Sequence, residues 1–284
     1  MRLDVRKTYK LSIGGAFPRS ESGRSYEVSD HKGGFLANFS QASRKDVRDA
    51  VVAARKAFPG WSGATAYNRG QVLYRVAEML EGRRDQFVAE VGASEGLATR
   101  KASREVDAAI DRWVWYAGWS DKFAQVSGSS NPVSGAYFDF SVPEPTGVVA
   151  AIAPQESSLL GLISVVAPII VSGNTCVIVA SEQRPMPAIT LSEVVTTSDV
   201  PGGVVNVLSG FTREMAPVLA AHLDVNAIDL AGAAPADVAD LQAAAADNLK
   251  RVVTPRAEDW HVDPDPGRIL AFTETKTVWH PMGV

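Results

Sequence analysis

One cysteine, Cys176, and four scattered histidines are all that the 284 residues offer as soft metal ligands. An internal disulfide is excluded, and no spacing suits a structural zinc. Long hydrophobic runs are also missing. The longest, residues 159–171, is too short and too interrupted to span a bilayer, and the opening MRLDVRKTYK has no apolar core of a signal peptide. Nor does one sign of charge dominate: the net charge is −4, both signs are interspersed, and no Lys or Arg run suggests a nucleic-acid groove or a membrane-facing patch. A cytoplasmic protein without nucleic-acid, membrane or metal partners is expected. What is present, 46% hydrophobic and 21% charged residues, is the composition of a globular protein with a substantial core.

The order of periodicities indicates the architecture. Residues 9–28 read as a pair of short strands, with turns at Gly14-Gly15 and Ser22-Gly23-Arg24. Ser43 with Asp46 predicts a helix N-terminus, and Val47, Ala50, Val51 and Ala54 carry that helix to the breaker Phe58-Pro59-Gly60. Further helices run through Val72 to Leu80 and through Val106 to Tyr116. The aromatic cluster Trp113, Trp115, Trp119 lies at helical spacing and reads as core packing. Around Gly135 the period becomes two, which predicts a hairpin arm. From residue 148 to 221 apolar β-branched strands alternate with helices, the signature of a doubly wound parallel sheet. Residues 231–246 read as one alanine-rich helix started by Pro235, residues 255–267 as an irregular, proline-rich connector, and residues 268–279 as extended.

From Leu11 to Val253 the residues resemble the aldehyde dehydrogenase superfamily. The likeness is carried by Ile13-Gly14-Gly15, Asp46 to Val51, Phe58-Pro59-Gly60-Trp61, Arg69, Tyr116-Ala117-Gly118-Trp119, and Glu144-Pro145-Thr146-Gly147. It continues through Gly173-Asn174-Thr175, Glu182, Pro201-Gly202-Gly203, Asn206 and Gly210. The tail Phe272 to Trp279 resembles the strand with which family members end. The resemblance implies an α/β, Rossmann-like nucleotide-binding domain over residues 1–127 and 143–254, with a small antiparallel β oligomerisation arm over 128–142 and 268–284. In this reading residues 255–267 replace the catalytic domain, which is absent.

The family's chemistry needs a thiolate, an oxyanion stabiliser, a base and a nicotinamide. The resemblance puts the only thiol, Cys176, at an ordinary core position and Glu156 where the oxyanion's asparagine amide belongs. Val179 and Ala180 stand for the ribose-binding lysine and its proline, and Leu230-Ala231-Gly232-Ala233 lacks the two hydroxyls of the pyrophosphate turn. Asp237 in the next helix opposes a phosphate. Glu182 and Gly232 remain as vestigial cofactor-binding residues, with no catalytic and no metal-binding residue. No cofactor is expected beyond weak NAD(P) binding.

The leading expectation is therefore a truncated pseudoenzyme, not an enzyme by itself, that hetero-oligomerises through its arm with a full-length aldehyde dehydrogenase subunit as a structural or regulatory partner. One alternative is a degenerate NAD(H) or nucleotide sensor anchored by Glu182. Another is an active aldehyde oxidoreductase, for which Cys176 and Glu156 are the only available pair.

Overall fold

The computed structural model describes residues 6–283. It opens with β1 (Thr8–Tyr9), β2 (Ser25–Ser29) and β3 (Phe35–Ser40), paired in the order β1-β3-β2. The sequence reading missed β3, whose run Phe-Leu-Ala-Asn-Phe-Ser does not alternate cleanly. Helix α1 (Arg44–Ser62) starts as predicted: the Ser43 hydroxyl accepts from the amides of Lys45 and Asp46, and the Asp46 carboxylate accepts from the Ser43 amide at 2.8 Å. It runs through Pro59 and past the predicted stop. Trp61 holds the last turn in place, because its buried ring donates Nε1–H to the Ile170 carbonyl at 2.8 Å.

Helices α2 (Ala66–Glu81), α3 (Arg84–Glu95), α4 (Thr99–Trp119) and α5 (Phe123–Ser127) follow. The pattern does not announce α3, because its buried face mixes Phe87 and Val91 with Glu90 and Ser94. In α4, Trp113 is fully buried, and Trp115 and Trp119 pack against the same core, their rings 5.3 Å apart.

The rest comprises β4 (Ser129–Asn131), β5 (Tyr137–Pro145), β6 (Val148–Ile152), α6 (Leu160–Val171), β7 (Thr175–Val179), α7 (Met186–Thr196) and β8 (Val205–Leu208). After these come α8 (Thr212–Ala221), β9 (Ala227–Asp229), α9 (Val238–Ala246), β10 (Arg251–Val253), α10 (Gly267–Leu270) and β11 (Thr273–Pro281). Five of the strands form a parallel sheet in the order β10-β9-β6-β7-β8. Its sides bury different cores. Val148, Ala150, Ile152, Val177 and Val179 pack on α1, α8 and α9, while Val149, Ala151, Cys176 and Ile178 pack on α4, α6 and α7. Burial on both faces is why these strands read as unbroken apolar runs.

A second, antiparallel sheet has the order β11-β5-β4, with β5 and β11 paired in register over nine residues, from Thr273 opposite Pro145 to Pro281 opposite Tyr137. The tail departs from the expectation of continuous extension: residues 267–270 are helical, and Phe272 is buried before β11 begins. Asn174 ties this junction down. Its buried amide accepts from the Gly147 amide at 2.7 Å and donates to the Phe272 carbonyl at 2.7 Å. Among the described residues, no helix is long and apolar enough to cross a membrane.

Candidate functional site

In a doubly wound sheet the strand ends and helix starts on one edge expose backbone amides, so ligands collect in the crevice there. Here that edge carries a cleft of about 700 Å³, lined among others by Glu182, Arg184, Thr212, Arg213, Gly232 and Asp237. Glu182 follows β7, and its backbone amide donates to the Gln155 side chain at 3.0 Å. Its carboxylate accepts the amide of Thr212, the first residue of α8, so Glu182 caps that helix from another loop. The Thr212 hydroxyl is buried and, among the described residues, has no hydrogen-bond partner, an unspent donor and acceptor in a residue that lines the cleft.

Gly232 follows β9. A Cβ there would lie 1.8 Å from the Ala153 carbonyl oxygen, so only glycine lets this turn close against the end of β6. The two residues expected at a cofactor, Glu182 and Gly232, thus line one cleft. Ala233 and the exposed Asp237 border it as well, whereas Val179 and Ala180 are fully buried in the two cores. Glu156 is exposed, and its carbonyl accepts from Arg184 at 2.6 Å. Sequence reasoning missed Thr212, Arg184 and Arg213. The turn Gly210-Phe211-Thr212 between a strand and a helix was the available signal for the first. The two arginines carried no pattern.

Cys176 sits in β7, flanked by β6 and β8, with no exposure. Burial pushes its thiol well above the ordinary range, because the thiolate would lie in an apolar core. It is therefore expected not to react with a disulfide reagent in the native protein and to react stoichiometrically after unfolding. Rapid labelling of the folded chain would contradict this. Among the described residues, no group of three or more His, Cys, Asp or Glu could hold a metal ion.

The model of the aldehyde dehydrogenase family matches residues 17–255. This chain belongs to that family. It is 32% identical over 246 residues to an aldehyde dehydrogenase of Davidiella tassiana, covering 85% of this chain and 49% of that protein. With retinal dehydrogenase 2 of Gallus gallus it shares 32% identity over 257 residues, covering 89% of this chain and 49% of the relative. Among solved structures, PnpE from Pseudomonas sp. WBC-3 has a TM-score of 0.82 at 31% identity, covering 87% of this chain and 50% of the other, and PnpE is also known in complex with nicotinamide adenine dinucleotide. The NAD+ complex of an aldehyde dehydrogenase from Bacillus cereus has a TM-score of 0.81 at 25% identity, with the same coverage.

These findings correct the sequence reading. The expectations of a truncated pseudoenzyme, an absent catalytic domain, a hetero-oligomeric helper role and no cofactor beyond weak NAD(P) binding are overturned. The family match takes in residues 17–255, the structural matches cover 86–87% of the chain, and the matched structures include dinucleotide complexes. The chain spans about half the length of the curated relatives it matches, and the loss of a domain does not follow from that coverage. The physical reason for the cofactor correction is that such a crevice is built largely from backbone, from the close approach at Gly232 and the turn between β8 and α8. Side-chain replacements at Val179 or Ala233 leave these intact.

Proposed function

We infer that the chain binds NAD in this crevice and serves NAD-linked aldehyde oxidation. The observation that carries the reading is the conjunction, in one cleft, of the Gly232 approach, the Glu182 carboxylate and the unpartnered Thr212 hydroxyl. A bound dinucleotide would supply the hydride acceptor. Gly232 would admit its pyrophosphate close to the backbone, Arg184 and Arg213 would balance its charge, and Glu182 would accept from a ribose hydroxyl. A carboxylate there favours NAD over NADP, since it repels a 2′-phosphate.

Calorimetry should show micromolar binding of NAD and weaker binding of NADP. Glu182→Gln should narrow the gap between them. Aldehyde-dependent formation of NADH tests the activity itself. No NAD binding at millimolar concentration would overturn the proposal. It extends to a cytoplasmic location and to association with another aldehyde dehydrogenase subunit through residues 128–142 and 268–284, where Tyr137, Phe138 and Trp279 are exposed. Removing β11 should abolish that association in size-exclusion chromatography.

A further inference from the structure

Residues 256–265 do not hang free. They fold back over α4 and α6 and roof a cavity of about 460 Å³, separate from the dinucleotide cleft. Three anchors hold them. Arg112 of α4 donates Nη2–H to the carbonyls of Trp260 and Val262 at 2.7 and 3.0 Å. His261 meets Glu105 at 2.6 Å. Arg268 grips Glu258 at 2.6 and 2.7 Å while pairing with the fully buried Asp229 at 3.0 Å.

The cavity is polarised. At its inner end are Arg112, Tyr116 and Ser164, all nine-tenths buried or more. The acceptors of Arg112 are all neutral, namely the Ser164 hydroxyl and two backbone carbonyls, so its charge meets no carboxylate by hydrogen bond. The Tyr116 hydroxyl makes no hydrogen bond among the described residues. Asp263 acts on the Arg112 charge through space without hydrogen-bonding to it, so a buried guanidinium with no carboxylate in contact, beside an unused phenol, is a carboxylate receptor in want of its ligand. The rim is net acidic: Asp259, Asp263 and Asp265 are exposed there with Arg256, while Glu258 is paired with Arg268.

We propose that this cavity binds a short zwitterion, its carboxylate at Arg112 and Tyr116 and its ammonium at the aspartate rim. A simple anion would meet the acidic rim, and a simple cation would leave Arg112 with no carboxylate in contact, so the polarity selects a molecule carrying both charges a few carbons apart. The site lies outside the dinucleotide crevice, and its test needs no dinucleotide.

The experiment is calorimetric titration of the intact protein with a matched series, 4-aminobutyrate, butyrate and butylamine. The zwitterion is expected to bind tightest. Arg112→Gln should weaken it by at least about tenfold, as removal of a charge-assisted pair does. Since Arg112 also anchors the roof, Tyr116→Phe provides an independent variant that keeps every anchor; it should weaken binding about threefold while leaving NAD affinity unchanged. Butyrate or butylamine binding as tightly as 4-aminobutyrate, absence of binding by all three, or an affinity unmoved by both substitutions would overturn the proposal.

Discussion

Gly232→Ala should lower the stability of the protein by about 3 kcal/mol and weaken NAD binding at least about tenfold. The new methyl would meet the Ala153 oxygen at 1.8 Å and its carbonyl carbon at 2.5 Å. Neither can give way, because Ala153 donates its amide to the Val179 carbonyl and the Gly232 amide donates to the Ile152 carbonyl, both at 2.9 Å. The turn must therefore move off the end of β6, and the cleft it borders moves with it. Gly118→Ala is the matched control. A Cβ there meets nothing within 4 Å, and on the exposed side of α4 alanine should be neutral or stabilising by about 0.5–1 kcal/mol. Urea unfolding of both variants checks the contrast, and equal midpoints would refute it.

Arg268→Met should cost about 3–5 kcal/mol at neutral pH, since it leaves the buried Asp229 carboxyl without its counter-charge. Burial pushes the Asp229 carboxyl upward, and the Arg268 guanidinium is the strongest opposing influence. Removing Arg268 raises it further. A carboxyl raised in the folded state binds its proton more tightly there than in the unfolded chain, so its contribution falls as pH rises out of the ordinary carboxylate range. The deficit of Arg268→Met relative to the parent should therefore shrink as pH is lowered toward about 4, the ordinary aspartate value. Adding Asp229→Asn should recover part of the loss at neutral pH, because it removes the stranded charge. A deficit that is constant with pH, or a double variant weaker than the single one, would show that Arg268 acts only through packing.

Both predictions concern residues whose importance local pattern conveys poorly. Gly232 is legible as a glycine at a strand-to-helix turn, yet such glycines are common, and only the distance to Ala153 makes this one obligatory. Asp229 ends a three-residue strand, and β9 and β10 are both too short to show a period, which is why neither was foreseen. The partner of Asp229 lies 39 residues away, in a segment read as the start of an extended tail. The expectation of lost activity arose from a similar gap. It weighed side chains at Val179, Ala233 and Glu156, whereas much of the crevice is backbone and helix terminus.

From the sequence alone, the parallel sheet was determined by its apolar β-branched runs at 148–152 and 175–179, the first long helix by its Ser43 capping box, and the family by ordered motifs from Ile13 to Gly210. These signals are local, written in the period of burial and in caps a few residues long. Tertiary structure alone decided that Glu182 caps α8 and that Arg112 and Arg268 hold residues 256–265 against the body. Each of these depends on charges, hydroxyls or strands brought together from distant positions, and the energy of such a contact has no counterpart in the periodicity of either segment.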